Sequence, residues 1–459
     1  MRMNENQEIP SGWAWVELGE VCKLKNGYAF KSSDYMEEGI PVIRISDIND
    51  GLVSVDDAVK VIANQEYENY VIKKNEILVA MSGATTGKFG IYKCNIIAYQ
   101  NQRVGKFQIL DSDVLNNIFL LFLLYSLKRR ILKDAYGGAQ PNISSSKIED
   151  LEIPLPPLPE QHRIVAKIEE LFSSLDKGIE NLKTAQQQLK IYRQAVLKRA
   201  FEGKLTNKNV KEGELPEGWK WVLITDLVEK NKNALKAGPF GSSLKKQFYV
   251  KRGYKIYGQE QVISGNPFYG DYYVNEDKYQ ELSSNKIRPF DILISLVGTV
   301  GKVLILPENC VAGIINPRLI KVSLDTNVYL PKFFKLYFES STVKSFYSSK
   351  AQGTTMDVLN LSIIKRINFP LCPISEQKAI VAEIESRLSI CDKIEESIEK
   401  SLKQAESLRQ SILKKAFEGK LVPQDPNDEP VSKLLEQIKE EREQWNVNRR
   451  GRRTLPAEK

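Results

Sequence analysis

One phrase constrains this chain more than any other feature. Ala195–Val196–Leu197–Lys198–Arg199–Ala200–Phe201–Glu202–Gly203–Lys204–Leu205 is matched near the C-terminus by Ser411–Ile412–Leu413–Lys414–Lys415–Ala416–Phe417–Glu418–Gly419–Lys420–Leu421. Leu197 falls on Leu413, an offset of 216. The same offset carries Glu160–Gln161 onto Glu376–Gln377 and Ile164–Val165–Ala166 onto Ile380–Val381–Ala382. Residues 160–205 and 376–421 therefore align without a gap, about half of the positions being identical. Such a period is far too long for a solenoid, so one whole module is present twice.

The parts before these segments repeat less strictly. Ile9–Pro10–Ser11–Gly12–Trp13–Ala14–Trp15–Val16 matches Leu215–Pro216–Glu217–Gly218–Trp219–Lys220–Trp221–Val222 at an offset of 206. Gly39–Arg44 matches Gly253–Gly258 at 214, and Glu76–Met81 matches Asp291–Leu296 at 215. These short apolar runs bounded by turn residues read as buried strands. An offset that drifts belongs to strands and loops, which absorb insertions. An offset that locks belongs to a helix, because one inserted residue turns its apolar face by about 100°.

The locked segments have helical periodicity. Ile168, Leu175, Leu182, Leu189 and Val196 recur every seven residues, as do Ile384, Cys391, Ile398, Ala405 and Ile412. Ile394 and Leu408 are placed between members of the second series, three residues on, to complete a seam; Gly178, Arg199, Arg387 and Lys415 interrupt it at equivalent positions. The pattern predicts two coiled-coil helices of roughly 60–70 Å, starting near Glu160 and Glu376 and stopping at Gly203 and Gly419. A helix lying on its own domain is the alternative. Residues 206–214 read as a polar linker, Pro430–Trp445 as a short charged helix, and Arg449–Arg453 as part of a basic tail.

The chain of 459 residues is long enough for two or three domains. The longest apolar run, Ile118–Leu124, is far shorter than a membrane span. The first ten residues contain no apolar signal-peptide region, and five scattered cysteines form no CxxC pair, so a cytoplasmic protein is expected. A net charge of +8 is permissive for nucleic acid. The single histidine, His162, has Lys378 as its counterpart in the other copy and is expected on the surface.

Catalytic motifs are missing. Gly83–Lys88 has three residues between its glycines and Phe89 after the lysine, so it is no P-loop, and Gly298–Lys302 is shorter still. Asn316–Pro317–Arg318 lacks the second proline and the aromatic of the Asn-Pro-Pro-aromatic motif of amino-methyltransferases; the first copy has Asn101–Gln102–Arg103 there. Binding remains. Basic residues lie among aromatics in both copies (Tyr28, Phe30, Lys31 and Arg44; Phe240, Lys245 and Lys255), and Lys88, Arg103, Lys302 and Arg318 follow the Gly-rich and Asn-led turns. These eight cations, Lys31, Arg44, Lys88, Arg103, Lys245, Lys255, Lys302 and Arg318, are the DNA-contact candidates; each suits a solvated surface equally well.

Several phrases together, in duplicate and in order, resemble the specificity subunit of Type I restriction–modification systems. They are Gly39–Arg44, Gly238–Pro239–Phe240–Gly241–Ser242, Pro154–Pro157 with Glu160–Gln161, Pro370–Pro373 with Glu376–Gln377, and both Ala-Phe-Glu-Gly-Lys-Leu phrases. The resemblance implies an α+β, pseudo-twofold duplicated chain, in which two globular α/β target recognition domains are joined by two long helices forming an antiparallel coiled coil. The expected domains are recognition domain 1 (1–158), a central spacer helix (159–204), a linker (205–214), recognition domain 2 (215–373), a C-terminal spacer helix (374–421) and a tail (422–459). Ile168, Leu175, Leu182, Leu189, Val196, Ile384, Ile394, Ile398, Leu408 and Ile412 would pack the spacer. Each domain would read one half of an interrupted double-stranded DNA site, and the helices would dock two modification subunits, joined by restriction subunits. This chain would bind no cofactor; S-adenosylmethionine, ATP and Mg would sit on those partners. A two-headed coiled-coil DNA-binding or scaffold protein outside restriction is the alternative, and a free-standing methyltransferase or nuclease a more distant one.

Overall fold

The computed structural model describes residues 8–440 except 50, 136–141, 208, 212 and 351–358. The basic tail expected around Arg449–Arg453 lies outside the described residues. Two compact units form: the chain up to Asn181 together with Ser401 onward, and Leu182–Lys400. Each combines one mixed α/β module with parts of two long helices, Leu158–Phe201 and Ile374–Phe417. At 44 residues each helix is about 66 Å long.

The two modules share one plan. The entering strand Ala14–Glu17 pairs antiparallel with Glu152–Leu155, which leads into the first long helix; Lys220–Leu223 pairs likewise with Asn368–Leu371 before the second. Ile40–Ile43 runs parallel to Ala98–Gln100, as Tyr254–Tyr257 does to Gly313–Ile315. Ile77–Ala80 and Ile292–Ser295 are central antiparallel strands buried along their whole length, which is why they read as unbroken apolar runs. The apolar run Ile118–Leu124 belongs to a helix, Asn117–Ala135. Asn116 starts it by accepting from the amides of Ile118 and Phe119 at 2.9 and 3.0 Å.

Within each unit the start of one long helix meets the end of the other, so the packing is antiparallel. Ile164 and Ile168 share a core with Ile412, Leu413, Ala416 and Phe417. Val196, Leu197, Ala200 and Phe201 share another with Ile380, Val381 and Ile384. Of the expected seam residues, Ile168, Leu189, Val196, Ile384, Ile398 and Ile412 are buried, and Leu175 and Leu182 are half-buried. Ile394 and Leu408 are not seam residues: they are 44% and 51% exposed.

The reason is register. The places four residues on from the sevenfold series are buried or half-buried along both helices, whereas those three on are mixed, with Leu171, Gly178, Ala185, Arg387 and Ser401 half-buried. Phe172, Ile179 and Ala200, and Leu388, Leu402 and Ala416, are buried or half-buried, whereas Tyr192, Arg199, Ile394, Leu408 and Lys415 face solvent. A heptad seam alternates steps of three and four, so entering on the wrong step turns the second set outward.

Two of the four-residue places hold arginine. Arg193 donates through Nη2 to Asp392 Oδ1 at 2.7 Å and Glu395 Oε2 at 2.9 Å. Arg409 donates to Asp176, with its guanidinium 4.5 Å from the Phe172 ring centroid. At the offset of 216, Arg193 corresponds to Arg409 and Asp176 to Asp392, so each unit holds the same cross-helix pair. The aspartates are 61% and 70% exposed, which limits each pair to about 1 kcal/mol at most. Their contribution is to favour one register over its neighbours.

Both helix ends are seated in a module. Gly203 and Gly419 stand in the left-handed region at φ 72° and 68°. Their amides donate to Ala200 O and Ala416 O, and the next amides, of Lys204 and Lys420, to Arg199 O and Lys415 O, a Schellman closure. Phe417 is fully buried, edge-on to Phe119 at 5.4 Å; Phe201 lies edge-on to Phe333 and Tyr337 at 5.2 and 5.0 Å.

The helix starts are fixed as symmetrically. Trp13 and Trp219 donate from Nε1 to Glu160 and Glu376, each at 2.9 Å. Gln161 accepts from the Asn116 amide and donates to Val114 O and Pro156 O; Gln377 accepts from the Leu330 amide and donates to Val328 O and Cys372 O.

In urea unfolding, Phe417→Ala is expected to cost about 3–5 kcal/mol and Ile398→Ala about 2–5 kcal/mol. Ile394→Ala and Leu408→Ala should stay within about 0.5 kcal/mol of the parent. Equal losses at Ile394 and Ile398 would restore the three-residue register.

Candidate nucleic-acid interface

The Glu-Gln and Phe-Glu-Gly phrases are structural joints, and their side chains are occupied within the fold. In both modules the parallel strands end at one corner. Asn101 N donates to Ile43 O at 3.1 Å, and Asn316 N to Tyr257 O at 2.9 Å. Each asparagine then begins a tight turn, its side chain accepting from the amide of Arg103 (3.3 Å) or Arg318 (2.9 Å). The loop before the first parallel strand presses onto this turn. A Cβ on Gly27 would lie 2.2 Å from Gln100 O, and one on Gly238 1.9 Å from Asn316 O, so no larger residue fits.

In the first module the corner opens into a cleft of about 1120 Å³. Asn26, Ser82, Gln102, Arg103, Asn142 and Ser144–Ser146 contribute its polar lining. Arg103 is the one cation among its described lining residues; the other polar ones offer amides and hydroxyls, and Met81, Gly83, Ala84 and Ile143 complete the wall. Apart from Gln102, which stands in the repeated Asn-led turn, none of these neutral polar residues carried a sequence signal, because the chain elements that bring them together are far apart. In the second module Phe240 stands 80% exposed beside the turn, and Lys245, Lys246, Lys251 and Arg252 are exposed.

The eight candidate cations fall into four groups. Lys31, Arg103, Lys245, Lys302 and Arg318 are exposed. Lys88 is half-buried at the base of the Gly-rich hairpin. That loop is a strand connection, as expected: the amides of Thr86, Gly87 and Lys88 are bound to Gly83 O, Ala80 O and Thr85 O rather than free to cradle a phosphate. Arg44 is already engaged, with Nε 3.6 Å from Asp47 Oδ2 and Nη2 donating to Asp57 O at 3.3 Å.

Lys255 is a correction. It is 2% exposed, and its Nζ donates to Gly270 O at 2.6 Å and Phe268 O at 3.3 Å, tying down the loop between them. Burial lowers its pKa from the usual lysine value. Lys106 and Lys321 are further inward lysines, donating to Val71 O and Lys286 O. Part of the positive charge is therefore spent inside the modules. The aromatics of the first module are also internal: Phe30 packs on Tyr67 and Tyr99 at 4.8 and 6.1 Å. His162 is exposed.

Two modules of one plan, each presenting an arginine at the same strand-end corner, define a duplicated recognition protein built on paired helices. Residues 10–190 and 216–404 match the profile of the Type I restriction modification DNA specificity domain, and the chain belongs to that family. It is 28% identical over 457 residues to the Type I restriction enzyme EcoBI specificity subunit of Escherichia coli, covering 95% of this chain and 93% of that one. It is 26% identical over 459 residues to the EcoKI specificity subunit of E. coli strain K12, covering 95% and 96%. The fold is shared with the crystal structure of the HsdS subunit from Thermoanaerobacter tengcongensis, with a TM-score of 0.57 at 20% identity over 91% of this chain and 99% of that one. A chain solved in work on complex assembly and conformational transition of the type I R-M system aligns with a TM-score of 0.67 at 20% identity, over 90% and 99%.

Replacing Lys255 by methionine should destabilise the protein by about 1–3 kcal/mol, because two carbonyls lose their donor. Lys245→Met should change stability by less than about 0.5 kcal/mol. Thermal or urea unfolding of the two variants separates the internal lysine from the surface one.

Proposed function

We propose that this chain is the non-catalytic addressing subunit of a Type I restriction–modification complex. Each module reads one half of an interrupted double-stranded DNA site, and the long helices hold the gap between halves and dock two modification subunits. Restriction subunits join that assembly. S-adenosylmethionine, ATP and Mg act on those partners, and the complex works in the cytoplasm.

The observation that carries this reading is the duplicated corner. Arg103 and Arg318 occupy matching places in two turns held by the same hydrogen bonds, while the residues around them differ. A shared cation suits what every DNA site offers, the phosphate backbone; differing neighbours suit two different half-sites. The neutral amides and hydroxyls of the first cleft suit base edges.

Arg103→Ala and Arg318→Ala should each weaken binding to all duplexes alike, and lower the slope of log affinity against log salt by about 1. An unchanged slope for both would remove the arginines from the interface. Deleting one heptad of the first helix, 182–188, should impair assembly or shift the tolerated gap between half-sites. Purified chain alone should neither methylate nor cut DNA; unaided activity would overturn the non-catalytic reading.

A further inference from the structure

The turns at Asn101–Arg103 and Asn316–Arg318 are a natural comparison within one molecule. Four hydrogen bonds recur in both. The first links the asparagine amide to the end of the parallel strand, and the second its side chain to the arginine amide. The third runs from Val104 or Leu319 N to the asparagine carbonyl, and the fourth from Met81 or Leu296 N to the arginine carbonyl. Residues 102 and 317 therefore stand at the same exposed corner. In one module that residue is glutamine, in the other proline.

Glutamine carries a donor and an acceptor on one planar end, the pair that matches adenine N7 and N6 in the major groove. Proline has no N–H and no polar side-chain atom, so the Pro317 side chain offers apolar contact only. The Gln102 backbone N–H donates to Tyr28 O at 2.8 Å, whereas its side-chain amide makes no hydrogen bond among the described residues and lines the cleft beside Arg103. We propose that Gln102 is the base-reading residue of the first module, paired with an adenine, while Arg103 and Arg318 hold backbone phosphates. This rests on the DNA-addressing function above and adds to it a residue and a base.

The test uses the full chain assembled with its modification subunits and a randomised duplex library. Wild-type complex selects its sequence, and affinities are then measured on that duplex and on its single-base-pair variants. Gln102→Ala should bind the selected duplex roughly 5- to 150-fold more weakly and stop discriminating at one A·T pair in one half-site, the other half being unchanged. Gln102→Glu, which keeps the size but only accepts, should move the preference at that pair toward cytosine. Wild-type preference at every position in Gln102→Ala, relaxation only at a G·C pair, or an equal loss on every duplex at unchanged melting temperature overturns the assignment alone. Selection of no sequence by the wild-type complex overturns the addressing function, and the assignment with it.

Discussion

The seating of each long helix in a module is the interaction on which the rest of this structure depends. Phe417 and Phe201 carry the helix ends into apolar cores, and Gly419 and Gly203 then turn the chain where no residue with a Cβ would fit. Each glycine backs onto the proline that opens a module, Pro10 or Pro216, closely enough that an added methyl group would lie 2.3 or 2.2 Å from the ring. The head of the opposite helix is locked in the same unit by its Trp–Glu and Gln–backbone bonds. A helix held at both ends cannot change length by one residue without breaking a joint or rotating its seam. That is the physical reason why the repeat locks at one offset along the helices and drifts in the modules.

This explains why so much of the fold was legible. Heptads, terminal glycines and buried strands are local patterns, and each became the element it predicted. The misplaced step in the seam has an equally local origin. Ile394 and Leu408 are apolar and correctly spaced for one half-step, while the true partners include Arg193, Glu395 and Arg409, whose polarity hides them. They are tolerated there because the arginines reach carboxylates across the helix pair and Arg409 also covers the Phe172 ring.

The candidate site was less legible, for a different reason. Whether a lysine is a surface cation or an internal tie depends on carbonyls supplied by distant strands and loops. Lys255 looks in sequence like Lys245, yet two carbonyls 13 and 15 residues away make it structural. The cleft of the first module has the converse problem. Asn26, Ser82 and Ser144 are unremarkable in sequence, and only the fold brings them beside Arg103.

The two copies differ in an ordered way. Residues that close joints are the same in both: Trp, Glu, Gln, Phe and Gly hold equivalent places with equivalent bonds. At the exposed corner the residues differ, Gln102 standing against Pro317. A duplicated protein reading one symmetric site would have reason to keep both corners alike, since identical half-sites present identical chemistry. Matched joints with unmatched corners instead suit a scaffold that must assemble symmetrically while addressing two unlike half-sites. Under the proposed addressing function the joints would serve assembly, and the divergence between corners would carry the difference between half-sites.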